Sequence, residues 1–192
     1  MTQMLTIPFP RAGVWTREAY HALPEDLPVD FELVDGSLVV NAKPSIMHNQ
    51  IAFRLASILD SSPPPEWQIG LDADVLLSDD ADEPTEVAPD LVVCSATHNP
   101  KTRPIPVALV SLAIEIVSPS STRKDRRFYP LRYAEAGIPH YWRIETPITS
   151  DALRIHTFRL QEGEYIPTGE FTDVLDVSEP FPIAFEVGSL LD

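Results

Sequence analysis

The segment ALVSLAIEIVS, residues 108–118, is the most apolar stretch of the chain and the strongest constraint on its fold. A run this continuous offers no solvent face, so it reads as a central strand buried on both sides. Yet it contains Glu115, and a carboxylate left unpaired in such a place is costly. Strand alternation puts Ala113, Glu115 and Val117 on one face and Ile114 and Ile116 on the other. Whatever surrounds this strand has to account for that charge.

Proline punctuates the rest. Twenty prolines in 192 residues, against seven glycines, predict short elements cut by rigid turns, since proline neither donates in a central ladder nor continues a helix. The length suits one well-buried domain, 1–192, with no staple required. The pattern predicts a short helix over 15–23 capped by Thr16. A hairpin over 31–40 follows, around Asp35-Gly36, and then a helix from Pro44-Ser45 to about Leu59. Residues 67–70 and 71–80 read as paired strands and 86–94 as one strand entered through Pro89. Residues 121–138 read as a helical connection with Gly137 as its C-cap, 140–145 as a strand, and 153–167 as a hairpin around Glu162-Gly163. The tail FPIAFEVGSLL adds a last strand or short helix. The fold class is α/β or α+β with a central mixed sheet.

Cys94 is the only cysteine, which excludes an internal disulfide; its LVVC setting predicts an inert buried thiol. The N-terminus has no basic run followed by an apolar core, and no stretch reaches 18 apolar residues. A cytoplasmic protein with no membrane contact is the expectation. The formal charge of −15 excludes a broad cationic coat for nucleic acid, but the acidity is uneven. Residues 71–98 hold eight Asp or Glu and no Lys or Arg, whereas 101–132 hold seven of the 14 basic residues.

Three acids stand in apolar settings: Glu32 between Phe31 and Leu33, Asp90 opening LVVC, and Glu115. If the Asp90 and Glu115 strands are neighbours, their carboxylates converge at one sheet edge. Mg²⁺ takes such oxygen ligands, one or two carboxylates plus waters and substrate phosphate. A metal there would relieve the like-charge repulsion and activate water toward a phosphodiester. The alternative is that Asp90 caps a turn and Glu115 pairs with a buried Arg. The basic cluster containing Arg123, Lys124, Arg126 and Arg127 would border such a site and accept phosphates. Its alternative is a solvated helix face paired with the acidic loop at 79–86. His48, at a helix start, approaches from the opposite side as an accessory group, or is an uninvolved surface histidine. Tyr141 and Trp142 read as core aromatics.

The blocks FELVDGSLV (31–39), PSIMHNQIAFRL (44–55), PDLVV (89–93), IEIVSPSSTRKDR (114–126) and YAEAGIPHYW (133–142) resemble, in order and spacing, the Uma2 family of the PD-(D/E)XK nuclease-like superfamily. The resemblance spans about residues 15–167. It implies a restriction-endonuclease-like core, a homodimer, and a Mg²⁺- or Mn²⁺-dependent endonuclease acting on double-stranded DNA. Asp90 and Glu115 would hold the metal with the Ile116 carbonyl, and Glu32 would complete the acidic cluster or hold a ligating water. The superfamily's usual lysine, two residues after the Glu, is replaced here by Val117. The family's later lysine position holds Tyr129, followed by Pro130, so Lys124 is the candidate substitute. The other reading is a catalytically impaired module that binds nucleic acid or a protein partner.

Overall fold

The computed structural model describes residues 13–191 apart from 25, 26, 28, 62, 63, 120 and 151. The N-terminal residues 1–12, read above as lacking a secretory signal, lie outside the described residues. Thr16 caps α1 (Arg17–His21), its Oγ1 accepting from the Ala19 N–H at 3.2 Å. The hairpin of β1 (Asp30–Val34) and β2 (Ser37–Asn41) turns on Asp35 and Gly36, at φ 48° and 68°, the positive pair a type I′ turn needs. Ser45 opens α2 (Ile46–Asp60) by accepting from the His48 N–H at 3.2 Å. This helix buries Ile51, Ala52, Leu55, Ala56 and Leu59 along one stripe.

The next four strands correct two expectations. They are β3 (Trp67–Leu71), β4 (Val75–Ser78), β5 (Thr85–Val87) and β6 (Leu91–Ser95). Residues 67–80 do not pair with one another: β3 pairs with β6, and β4 with β5, all antiparallel. Asp72, at φ 47°, turns the chain out of β3, and its N–H donates to the Asp90 carbonyl at 3.1 Å. Nor is 86–94 one strand. Pro89 has no N–H to extend a ladder, so the chain breaks over Ala88-Pro89-Asp90 and changes sheet. Both changes of sheet fall at one level, which makes a corner with Asp90 in it.

A two-residue β7 (Ile105–Pro106) leads to β8 (Val110–Val117), all eight of whose residues are buried. After β8 the helical connection opens as a wide π turn over Lys124–Phe128, with the Tyr129 N–H donating to the Lys124 carbonyl. It continues as α3 (Tyr129–Glu135). Pro130 is accommodated in this way: a residue without an N–H follows a turn already wider than α. Gly137, at φ 83°, ends the helix, and the Ile138 N–H bonds the Tyr133 carbonyl at 2.9 Å.

Then come β9 (His140–Glu145), the hairpin β10 (Arg154–Gln161) and β11 (Glu164–Phe171), and the pair β12 (Val174–Val177) and β13 (Ile183–Glu186). The tail therefore holds a strand and, over Val187–Leu190, a short helical turn.

A five-stranded sheet has the order β2-β1-β5-β4-β7, and a six-stranded sheet the order β11-β10-β9-β8-β6-β3. Both are mixed: β4–β7 and β8–β9 are parallel and the other pairs antiparallel. The parallel step from β8 to β9 needs a crossover, which the π turn and α3 supply. Ile114 and Ile116 pack with Leu55 of α2 and Trp142, while Ala113 packs with Tyr133 of α3, Tyr141 and Val87 of the other sheet. The period-two reading of β8 is thus realised, and Glu115 faces the α3 side. Cys94 and the two core aromatics are buried as expected. Among the described residues no helix is long and apolar enough to cross a membrane.

Candidate active site

β6 and β8 are neighbours, with Leu91 opposite Ile114. Asp90 precedes β6 and so lies level with the residues just after Ile114. Its Oδ2 accepts the Ile116 N–H at 2.6 Å and sits 3.1 Å from His48 Nε2. Both contacts fall on the same oxygen, leaving Oδ1 with no protein hydrogen bond among the described residues. In a strand the N–H and C=O of one residue project to the same side, so the Ile116 carbonyl points to this edge as well. Asp90 therefore caps an open strand end, not the turn of the alternative reading, and it enters a cleft of 710 Å³.

Glu115 lines the same cleft. Its partner is a tyrosine, not the buried arginine of the alternative reading: Tyr133 Oη donates to Oε1 at 2.5 Å. Burial, and then the charges of Asp90 and Asp125, hold its carboxyl well above the usual range. Glu32 closes the cleft from the other sheet. It accepts from the Ala88 N–H at 2.9 Å and from the Tyr129 hydroxyl. Burial raises its pKa despite those donors. At His48 burial alone would lower the imidazole, but the hydrogen bond and charge of Asp90 prevail and hold it above its ordinary value.

Asp125 is the acid that sequence reasoning missed. The π turn buries it in the cleft, where Ser121 Oγ donates to it and Tyr141 Oη donates to its carbonyl at 2.6 Å. Burial, opposed by the Ser121 hydrogen bond and reinforced by Asp90, pushes its carboxyl up to about 7. Its signal in the sequence was its place on the helix flank immediately after the Glu115 strand, next to Lys124.

The basic cluster divides. Lys124 Nζ donates to Asn41 Oδ1 at 2.9 Å and to the Val40 carbonyl at 3.3 Å, so it lies on the β2 wall of the cleft. Tyr129, where the resemblance implies a lysine, donates a hydrogen bond to Glu32. Arg126 is committed to Glu145 through two bonds, 2.9 and 2.7 Å, and Arg132 pairs with Asp35 and Glu135. The solvated-face reading thus describes part of the cluster, with partners other than the 79–86 loop; Arg17 is the residue that pairs with Asp79 there, at 2.8 Å. Arg123 and Arg127 are exposed.

The sequence profile of the Uma2 family, described as “putative restriction endonuclease”, matches residues 17–191. The chain belongs to the Uma2 family. A crystal structure described as a “putative nuclease belonging to DUF820”, from Anabaena variabilis, is similar in fold to this Uma2 protein, with a TM-score of 0.68 at 20% identity. The similarity covers 92% of this chain and 97% of that one. No curated protein matches the sequence. The restriction-endonuclease-like fold is therefore shown, and the Uma2 match extends past the 15–167 span to the C-terminal strands.

The donor set fits a hard divalent cation. Two carboxylates and a backbone carbonyl converge on one cleft, with excess negative charge around them. Among the described residues no group of three or more His, Cys, Asp or Glu is arranged as a metal cluster. Mg²⁺ does not require one, since it commonly binds through one or two carboxylates and keeps its waters.

Proposed function

We propose that this Uma2 protein is a Mg²⁺- or Mn²⁺-dependent endonuclease hydrolysing phosphodiester bonds in DNA. One observation carries the reading: the β6–β8 pairing puts Asp90, Glu115 and the Ile116 backbone at one end of a cleft. Asp90 and Glu115 would hold the ion with the Ile116 carbonyl. A divalent ion in that place supplies Lewis acidity toward a phosphodiester and lowers the pKa of water. The protein's own part is orientation. His48 and the Ile116 N–H fix one Asp90 oxygen, Tyr133 fixes one Glu115 oxygen, and Glu32 and Asp125 keep the cleft anionic enough to retain a cation. Arg123 and Arg127, both exposed, are the candidate phosphate contacts. The chain acts as one domain, and the family resemblance carries a homodimer, which sedimentation velocity tests. Calorimetry with Mn²⁺ and a plasmid-nicking assay test the site: Asp90→Ala and Glu115→Ala each lose both metal binding and cleavage. A wild-type protein that binds no divalent ion refutes the reading.

The second reading, a catalytically impaired binding module, is favoured by Lys124 being held on Asn41 and by Tyr129 standing in the family lysine's place. It requires metal-independent binding weakened by Arg127→Glu, with no product on any substrate.

A further inference from the structure

The rim of the cleft is apolar where a duplex-binding groove would be basic. Among the described residues eight large apolar side chains are exposed, and four of them, Val40, Phe53, Leu71 and Ile148, line this one cleft. They come from β2, α2, the end of β3 and the loop after β9, so no single amphipathic element explains their convergence. Phe53 is 67% exposed, and Ile46, seven residues earlier on the same face of α2 and 79% exposed, extends the patch outward. Exposed apolar side chains gathered at the mouth of a cleft mark a ligand surface.

Charge narrows the ligand. The cleft is lined by Asp30, Glu32, Asp72, Asp90, Glu115 and Asp125, against Lys43 and Lys124. Of the nearby arginines, Arg126 and Arg132 are already paired with carboxylates. Duplex DNA brings one negative charge per ~1.7 Å of axis and a single strand one per ~3.4 Å, so the duplex meets about twice the repulsion for the same length. A duplex also keeps its base faces stacked inside, so the rim meets sugar, phosphate and base edges but no free aromatic face to stack on. An unpaired strand can turn its bases onto Phe53 and its neighbours while one phosphate reaches the carboxylates. Stacking of this kind is tolerant of sequence and is the usual device for holding single strands.

We propose, building on the nuclease reading above, that the substrate of this cleft is unpaired DNA, with Phe53 as the stacking platform. A second copy of the chain covering the patch is the competing occupant; it would close the mouth over the carboxylates.

The test is fluorescence anisotropy of a labelled single-stranded oligonucleotide and of its duplex, in Ca²⁺ at fixed salt, alongside cleavage of both in Mg²⁺. Tighter binding of the single strand, weakened roughly 5-fold or more by Phe53→Ala and retained in Phe53→Trp, supports the proposal. Because Phe53 is exposed, thermal melts of the variants should match wild type. Equal or tighter binding of the duplex, or an unchanged Phe53→Ala, overturns it, while cleavage of the duplex would leave the nuclease reading standing. Single-strand binding without any cleavage supports unpaired DNA as the ligand of this cleft and counts against the hydrolase. No binding of either form overturns it, as does conversion of a dimer to monomer by Phe53→Ala with no change in DNA binding.

Discussion

His48 Nε2 lies 3.1 Å from Asp90 Oδ2, the oxygen that also takes the Ile116 N–H. A histidine from the first turn of α2 and a strand backbone thus hold one edge of a carboxylate and leave the other for a ligand. Groups placed behind a metal ligand typically contribute 10- to 100-fold in affinity. His48→Ala is expected to weaken Mn²⁺ binding by about that factor, read by calorimetry, with an unchanged circular dichroism spectrum. Affinity equal to wild type would reduce His48 to a surface histidine.

The metal-free protein is expected to lose stability as pH rises. Burial first, and neighbouring carboxylates second, raise the folded-state values of Glu115 and Asp125, the latter from 3.8 to about 7. Between the ordinary and the raised values the folded state binds more protons than the unfolded one, so stability is present at the acid end and falls through this window. Urea midpoints in EDTA should be lower at roughly pH 8 than at roughly pH 5, and Mn²⁺ should restore the loss at the higher pH. A midpoint that rises with pH contradicts this charge arrangement.

Tyr133→Phe removes the one hydroxyl that, among the described residues, donates to Glu115 Oε1, deep in the core. Leaving a buried acceptor unpaired costs about 1–3 kcal/mol. Urea denaturation followed by tryptophan fluorescence should show that loss.

Charge reversal at neighbouring arginines should separate structure from binding. Arg126 holds the buried Glu145, so Arg126→Glu is expected to destabilise by about 1 kcal/mol or more. Arg127 is exposed, so Arg127→Glu should stay within about 0.5 kcal/mol of wild type while weakening DNA binding. Equal stability losses would mean that Arg127 has a structural partner.

The site was readable in the sequence wherever burial conflicts with charge. Glu115 inside an apolar strand and Asp90 at the mouth of LVVC both carry that conflict in their immediate neighbours, and both lie in the cleft. Asp125 does not: its neighbours are Lys124 and Arg126, and only the π turn, a property of backbone geometry, buries it. The hairpins were readable because Asp-Gly and Glu-Gly fix a local turn. Pairing of β3 and β4 was misread because period-two patterns say which residues share a face, not which strand is the neighbour. The partners of Arg126 and Lys124 are 19 and 83 residues away, beyond the reach of any local pattern.

The corner at Asp72 and Asp90 gives the cleft walls from two different sheets. Glu32 belongs to one and Glu115 to the other, and between the sheets lie Val34, Val87, Val92 and Ala113. A methyl gained or lost there alters the spacing of the two carboxylates without touching either. Mutational drift in the interior can therefore readjust the geometry this cleft presents to a ligand while every residue lining it stays the same.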